Sequence, residues 1–386
     1  MRKNHLLAGA ALAASATLLL AQPTMADPMH GPGGTPQPAP AANPLACSPT
    51  VNAVSFSDAL DKKVVDGAEV SGLSSLAWDA RQQAWVSALD NNGQATPEFL
   101  WSFRNLSDPQ VIHAPLVLKK PDGTPYDGGN IATDPNAADN EGLAVLKDGD
   151  YVVSSETEPS IRIYGRDGIQ KASLPVPARF GVTGRTPAGE ATNNATLEGL
   201  TLTPDGRTLI AAMEGALSGD VSASGDATSH RMLVYTHDDN GQWQLEKQIE
   251  YKTDPGMRIP EVAAYSDDAV VVEEASFDVV NGNAVNLFAV TGLSKAPDVS
   301  NVANLGDASP ALAVSKTNLA DLVNCPTLGA TALETQKNPL LDNFEGMAIT
   351  GHLARAHEFG ISLVSDDNNS PTQHTRILNL TAQLPR

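Results

Sequence analysis

Short apolar runs separated by turn signals fill the chain from about residue 50 onward. LIAAM (209–213), AVVVEE (269–274) and SLVSDD (362–367) are typical, and Asp-Gly pairs stand at 122–123, 148–149, 167–168 and 205–206. Long stretches of helical periodicity are scarce. This pattern predicts many short antiparallel strands joined by tight turns, where glycine tolerates the positive φ the turn requires. One stretch recurs. NEGLAVLKDGDYVVSSETE (140–158) is echoed by LEGLTLTPDGRTLIAAMEG from Leu197, PEVAAYSDDAVVVEEAS from Pro260 and NFEGMAITGHLARAHEFGISLVSDDNN from Asn343, with a weaker copy from Ser71. Each copy reads as entry, strand, turn, second strand and terminal acid.

A repeat every 57 to 84 residues is the length of a four-stranded unit with its loops. The expected fold is therefore all-β, a single β-propeller, with six blades the best division and five or seven as alternatives. The long interval between the units at 262 and 346 leaves room for an additional blade built from AVNLFAVTGL and ALAVSKTNLADL. Residues 47–386 would form this domain. Ahead of it, residues 1–26 read as a secretory signal peptide: Arg2 and Lys3, an apolar run from Leu6 to Ala21, and Thr24-Met25-Ala26 before the cut. Residues 27–46 are rich in Pro, Gly and Ala and read as a flexible linker. No membrane span is expected once the leader is removed.

The repeats bring acids to both ends of their strands. Glu141, Glu198, Glu261 and Glu345 precede the first strand of a unit; Asp90, Glu156, Glu214, Glu273 and Asp366 follow the second. A two-residue turn at Asp148-Gly149 would set Glu141 opposite Glu156. A turn centred on Asp267 would set Glu261 opposite Glu273, and a three-residue loop would align Glu198 with Glu214. Like charges held together repel and raise each other's pKa, so the repetition makes sense around a cation. Around a propeller axis the acids should converge at one mouth, where calcium accepts irregular oxygen sets. The alternative for any single acid is a bond to backbone amides that holds the blades in register.

The net charge of -20 becomes -22 without Arg2 and Lys3, with 23 basic against 45 acidic residues. That disfavours nucleic acid and anionic membranes as partners; a small molecule bound by a monomer is the expected partner. The two cysteines, Cys47 and Cys325, suit one disulfide in an exported protein, either periplasmic or secreted.

These residues resemble the family described as esterase-like activity of phytase, a phytase-like β-propeller group. The resemblance runs over roughly residues 66–382 and rests on NEGLAVLKDGDYVVSSE, LEGLTLTPDGRTLIAAMEG, RIPEVAAYSDDAVVVEE and the ordered pair NFEGM and SDDNN. It implies a propeller, export and hydrolysis of ester or phosphoester bonds.

Other hydrolytic routes lack their motifs. The chain has no Gly-x-Ser-x-Gly elbow, no cysteine followed by arginine at phosphate-loop spacing, no Arg-His-Gly, no P-loop and no His-Glu-x-x-His. Metal-assisted hydrolysis remains. Glu156, Glu214 and Glu273, which end strands, are the candidate general bases. Glu141, Glu198, Glu261, Glu345, Asp90 and Asp366 are the candidate ligands for calcium or another divalent cation. Arg258, Asn343 and Asn368 are the candidate substrate contacts, with Arg162, Arg231 and Lys252 read as surface residues paired to acids. Two other functions stay open: a non-catalytic binding propeller stabilised by calcium, and a metal-dependent sugar lactonase.

Overall fold

A computed structural model describes residues 43–91, 97–126, 137–156, 158–185, 188–238 and 241–386. The expected leader, and most of the expected linker, lie outside the described residues. The fold is all-β, with five four-stranded antiparallel blades; the first also takes in a short extra strand. Blade one is built on Ala77–Asp79, Ala84–Ala88 and Phe99–Arg104. Blade two uses Asn140–Val145, Tyr151–Ser155, Ser160–Tyr164 and Gln170–Leu174. Blade three uses Leu197–Leu202, Thr208–Met213, Ser229–His237 and Trp243–Lys252. Blade four uses Val262–Ser266, Ala269–Asp278, Gly282–Thr291 and Lys316–Asp321. Blade five combines Phe344–His352, Glu358–Ser365 and Ile377–Gln383 with the N-terminal strand Val51–Ser57, which pairs with Ile377–Gln383.

The count is five, not six. The segments expected to make an additional blade are the third and fourth strands of blade four: AVNLFAVTGL falls on Gly282–Thr291 and SKTNLAD on Lys316–Asp321. The residues between them are a long excursion that covers blade three. Val299 and Val314 donate their amides to Gln248 and Glu250 on that blade's last strand, capping an otherwise open edge. Asp220 and Arg231 anchor it, with Arg231 Nε 2.6 Å from Asp220 Oδ2 and Arg231 Nη1 donating to the Val299 carbonyl. Arg231 is thus a buried structural cation rather than a surface residue.

Ring closure joins the two ends of the described chain, as expected. Cys47 and Cys325 form a disulfide that ties the start of blade five's outer strand to the segment leaving blade four.

Strand faces explain the apolar runs. Val152 packs toward blade three, whereas Tyr151 and Val153 pack toward blade one. Because strands between two blades are buried on both faces, the period-two alternation fades into runs such as AVVV. The Asp-Gly turns behave as read: Gly123, Gly149, Gly168 and Gly206 all take positive φ.

The register at the opening repeat differs from expectation. Leu146 and Asp150 close a three-residue turn, and the ladder slips again between Leu143 and Asn140, so the Glu156 amide donates to Asp139, not to Glu141. Blade three slips likewise between Leu197 and Leu200, and the Glu214 amide donates to Thr196 rather than facing Glu198. Blade five slips between Phe344 and Gly346. These bulges sit at Glu-Gly pairs, and a bulge turns a side chain away from its regular direction. In blade four, Val262 stands in place of that glycine, the ladder runs unbroken there, and Glu273 donates its amide to Glu261 as expected.

The glycines have a packing reason. A Cβ on Gly142 would meet the Glu198 carbonyl oxygen at 2.4 Å, one on Gly199 would meet Glu261 Cα at 2.8 Å, and one on Gly346 would meet the Ser75 carbonyl carbon at 2.5 Å. Each inner strand therefore passes against the next blade's backbone, and only a residue without Cβ allows that approach. Gly142→Ala should destabilise the protein by about 1–3 kcal/mol, because the obstacle is backbone that cannot swing aside. Urea unfolding measures this, and an unchanged midpoint would refute the packing account.

Candidate metal and hydrolytic site

Residues at the strand ends of the blades line a cavity of about 310 Å³ at one mouth. Among the described residues its wall contains Asp90, Glu141, Glu156, Glu198, Glu214 and Glu345, with Arg258 as the single cation. Asn194, Asn283, Asn343, Asn368, Gln373 and Phe277 complete it. The bulged Glu-Gly entries supply Glu141, Glu198 and Glu345, and the strand-end acids supply Asp90, Glu156 and Glu214.

Among the described residues two sets of carboxylates lie within metal-holding range. Glu141, Glu156 and Glu198 bring one oxygen each within 4.8 Å of one another; Asp90, Asp139 and Glu141 do the same. Glu141 belongs to both. All are buried. Burial, followed by the charges of neighbouring acids, pushes Glu141, Glu156 and Glu198 well above the usual carboxylate range. Glu156 is partly compensated, since its Oε1 accepts the Thr196 amide at 2.7 Å. Glu198 has the Arg258 guanidinium 3.6 Å from its Oε1, but its Oε2 is buried and has no hydrogen-bond partner.

Arg258 borders this cluster at Glu198. Nη1 donates to Glu214 at 3.0 Å, and Nη2 donates to Glu345 at 2.9 Å and Asn343 at 2.8 Å. Glu198 is 3.6 Å away. The guanidinium is therefore already engaged by the wall through three hydrogen bonds. Its charge offsets part of the burial that raises Glu214, and the three acids in turn hold Arg258 firmly protonated.

Three of the sequence candidates lie behind the cavity rather than on it. Glu261 turns its carboxylate onto backbone, accepting from Leu200 and Val262, each at 2.8 Å. This is the register-holding role foreseen as the alternative, and it fits the missing glycine at 262. Glu273 is fully buried, with neither carboxylate oxygen partnered, and burial pushes its pKa well up. Asp366 is buried beside Glu345 and Asp90; its Oδ1 accepts the Asn368 amide at 2.7 Å. The neighbouring Asp367 is structural, accepting from Ser71 at 2.8 Å and pairing with Lys62.

Of the other cations considered, Arg162 pairs with Glu158 at 2.8 Å and Lys252 approaches Glu250 at 3.7 Å. Arg162 is nevertheless buried, stacked over the Tyr126 ring.

Sequence reading missed Asp139, Asn194, Asn283, Gln373 and Phe277. Asp139 had a signal. It stands two residues before the entry glutamate, and the same position in blades three and five holds Thr196 and Asn343, each receiving the amide of the terminal acid. The others sit in loops or on a hairpin end outside the repeat.

The sequence matches the phytase-like family, described as esterase-like activity of phytase, over residues 68–369. No curated protein matches the chain. Among solved structures, it is similar to a protein of unknown function from Dyadobacter fermentans, at 11% identity and a TM-score of 0.44, covering 87% of this chain and 100% of that one. It is also similar to a gluconolactonase from Xanthomonas campestris, at 12% identity and a TM-score of 0.35, covering 86% and 89%. With the family match spanning most of its length, the chain belongs to the phytase-like family.

Proposed function

We propose that the protein is an exported, metal-assisted hydrolase of ester or phosphoester bonds, working at the acidic mouth. The observation that carries this reading is the Glu141–Glu156–Glu198 cluster, in which a buried Glu198 oxygen has no donor. Such an atom is costly unless a cation or proton meets it. The donor set is hard oxygen throughout, which fits calcium. Glu141, Glu156 and Glu198 would hold the ion, with Asp90 and Asp139 forming an adjoining half-site through Glu141. A bound divalent cation supplies positive charge that offsets a substrate's anionic oxygen.

The chain's own residues divide the remaining work. Glu214 is the favoured proton acceptor for an attacking water, because it lines the cavity yet lies outside both metal-range sets. Glu156 is taken up by the cluster, and Glu273 does not reach the wall. Arg258 positions Glu214 and Glu345 through its fork of hydrogen bonds, and Asn343 fixes Arg258 in turn. The expected leader and the disulfide support export, where oxidising conditions keep such a bond. The strongly negative charge supports a small-molecule substrate over nucleic acid.

Turnover tests the reading. The mature protein should release p-nitrophenol from acetate or phosphate esters with calcium present and lose that activity in EDTA. Glu214→Gln should lower kcat by about 10²-fold or more, the range of a general base, while calcium binding persists. No turnover with either ester would instead favour the non-catalytic binding propeller.

Stability against pH follows from the raised acids. A carboxyl whose folded pKa lies above its unfolded value stabilises the fold below the unfolded pKa, and that contribution is lost as pH rises toward the folded pKa. Glu141, Glu156 and Glu198 all shift this way. In EDTA the melting temperature should fall as pH is raised from about 4.5 through neutrality. Calcium should reverse that fall at neutral pH. A metal-free melting temperature that climbs over the same range would contradict it.

A further inference from the structure

Among the described residues the cavity wall is polar except at one place. Phe277, near the end of Ala269–Asp278, lines it and keeps 54% of its surface exposed. Its cross-strand partner is Asn283, at the start of Gly282–Thr291, which lines the cavity too. Asn283 is buried, and its Nδ2 donor has no hydrogen-bond partner. The pair is fixed in place. The Asn283 amide donates to Gln336 Oε1 at 2.8 Å, the Lys337 amide donates to the Asn281 carbonyl at 3.2 Å, and a Cβ on Gly282 would strike Thr335 at 2.3 Å. An anchored hairpin thus presents an uncovered aromatic ring beside an unused buried donor.

We propose that Phe277 and Asn283 form a substrate-recognition pair for an ester or phosphoester carrying an alkyl or aryl group. Asn283 Nδ2–H donates to a substrate oxygen, and the Phe277 ring packs against the apolar substituent next to it. The inference rests on the hydrolytic reading of the same mouth and names its substrate class. It also sets that class apart from polyphosphates. Among the described residues six carboxylates face the cavity, and the one lining cation, Arg258, already bonds Glu214, Glu345 and Asn343. A densely charged substrate would meet repulsion and no unengaged guanidinium. A singly anionic or neutral ester with an apolar arm meets a donor and a ring.

The test measures binding of methyl-, butyl- and hexylphosphonate to the mature protein in saturating calcium, beside hydrolysis of p-nitrophenyl acetate, butyrate and hexanoate. Fully burying a methylene strengthens binding about three- to fourfold, so a half-covering ring should still give at least about a tenfold gain from methyl to hexyl. Phe277→Ala should flatten that gain and leave methylphosphonate affinity unchanged. Asn283→Ala should weaken every phosphonate by a similar factor and leave the chain-length gain intact. Val280→Ala, at the exposed hairpin tip, should change neither. A flat profile in the native protein, an undiminished gain in Phe277→Ala, or no phosphonate binding would each overturn the proposal. Absence of ester turnover with the chain-length gain preserved would reject hydrolysis and uphold the recognition pair.

Discussion

Mutual repulsion among buried carboxylates is the constraint on which the arrangement of this propeller's mouth depends. Among the described residues six acids share one cavity with one guanidinium. Arg258 satisfies Glu214 and Glu345 by direct hydrogen bonds and reaches the edge of the Glu141–Glu156–Glu198 cluster at 3.6 Å from Glu198, so one positive charge stands against all of these acids. Those three can relieve their repulsion by keeping protons or by sharing a cation. The fold holds them there regardless, because each is fixed by a strand end whose backbone is committed to the ladder.

That commitment comes from the glycines. Gly142, Gly199 and Gly346 let neighbouring inner strands approach backbone to backbone, and at these Glu-Gly pairs the ladder slips by a residue. The glutamates before them are the ones that reach the cavity. Where blade four carries Val262 instead, the ladder does not slip at that pair and Glu261 spends its carboxylate on the amides of Leu200 and Val262. One residue type therefore separates a wall-lining acid from a register-holding one. The ring that presents these strands is closed by Val51–Ser57 pairing with the last strand and by the Cys47–Cys325 bond.

Much of this was legible in the sequence. The Glu-Gly repeats, the Asp-Gly turns and the distant cysteine pair gave the propeller, its closure and most of the acids at the mouth. The blade count was not legible, because a long excursion covering a sheet edge and an additional blade can have the same length in sequence. Register failed at Glu141 and Glu198 for a related reason: counting outward from a turn assumes an unbroken ladder, and bulges break it without altering the apolar pattern. Phe277 and Asn283 were invisible because their place depends on how far one hairpin extends and on its contact with Gln336, neither of which a repeat records.

The acid clusters at the mouth could hold a divalent cation. The most direct test of this is isothermal titration of calcium into metal-stripped mature protein at neutral pH, run in two buffers of different ionisation enthalpy. Saturable binding with net proton release is the expected result, since raised carboxyls must give up protons to become ligands. No binding, or binding that releases no protons and survives Glu198→Gln unchanged, would show that these acids hold their protons for the sake of the fold alone.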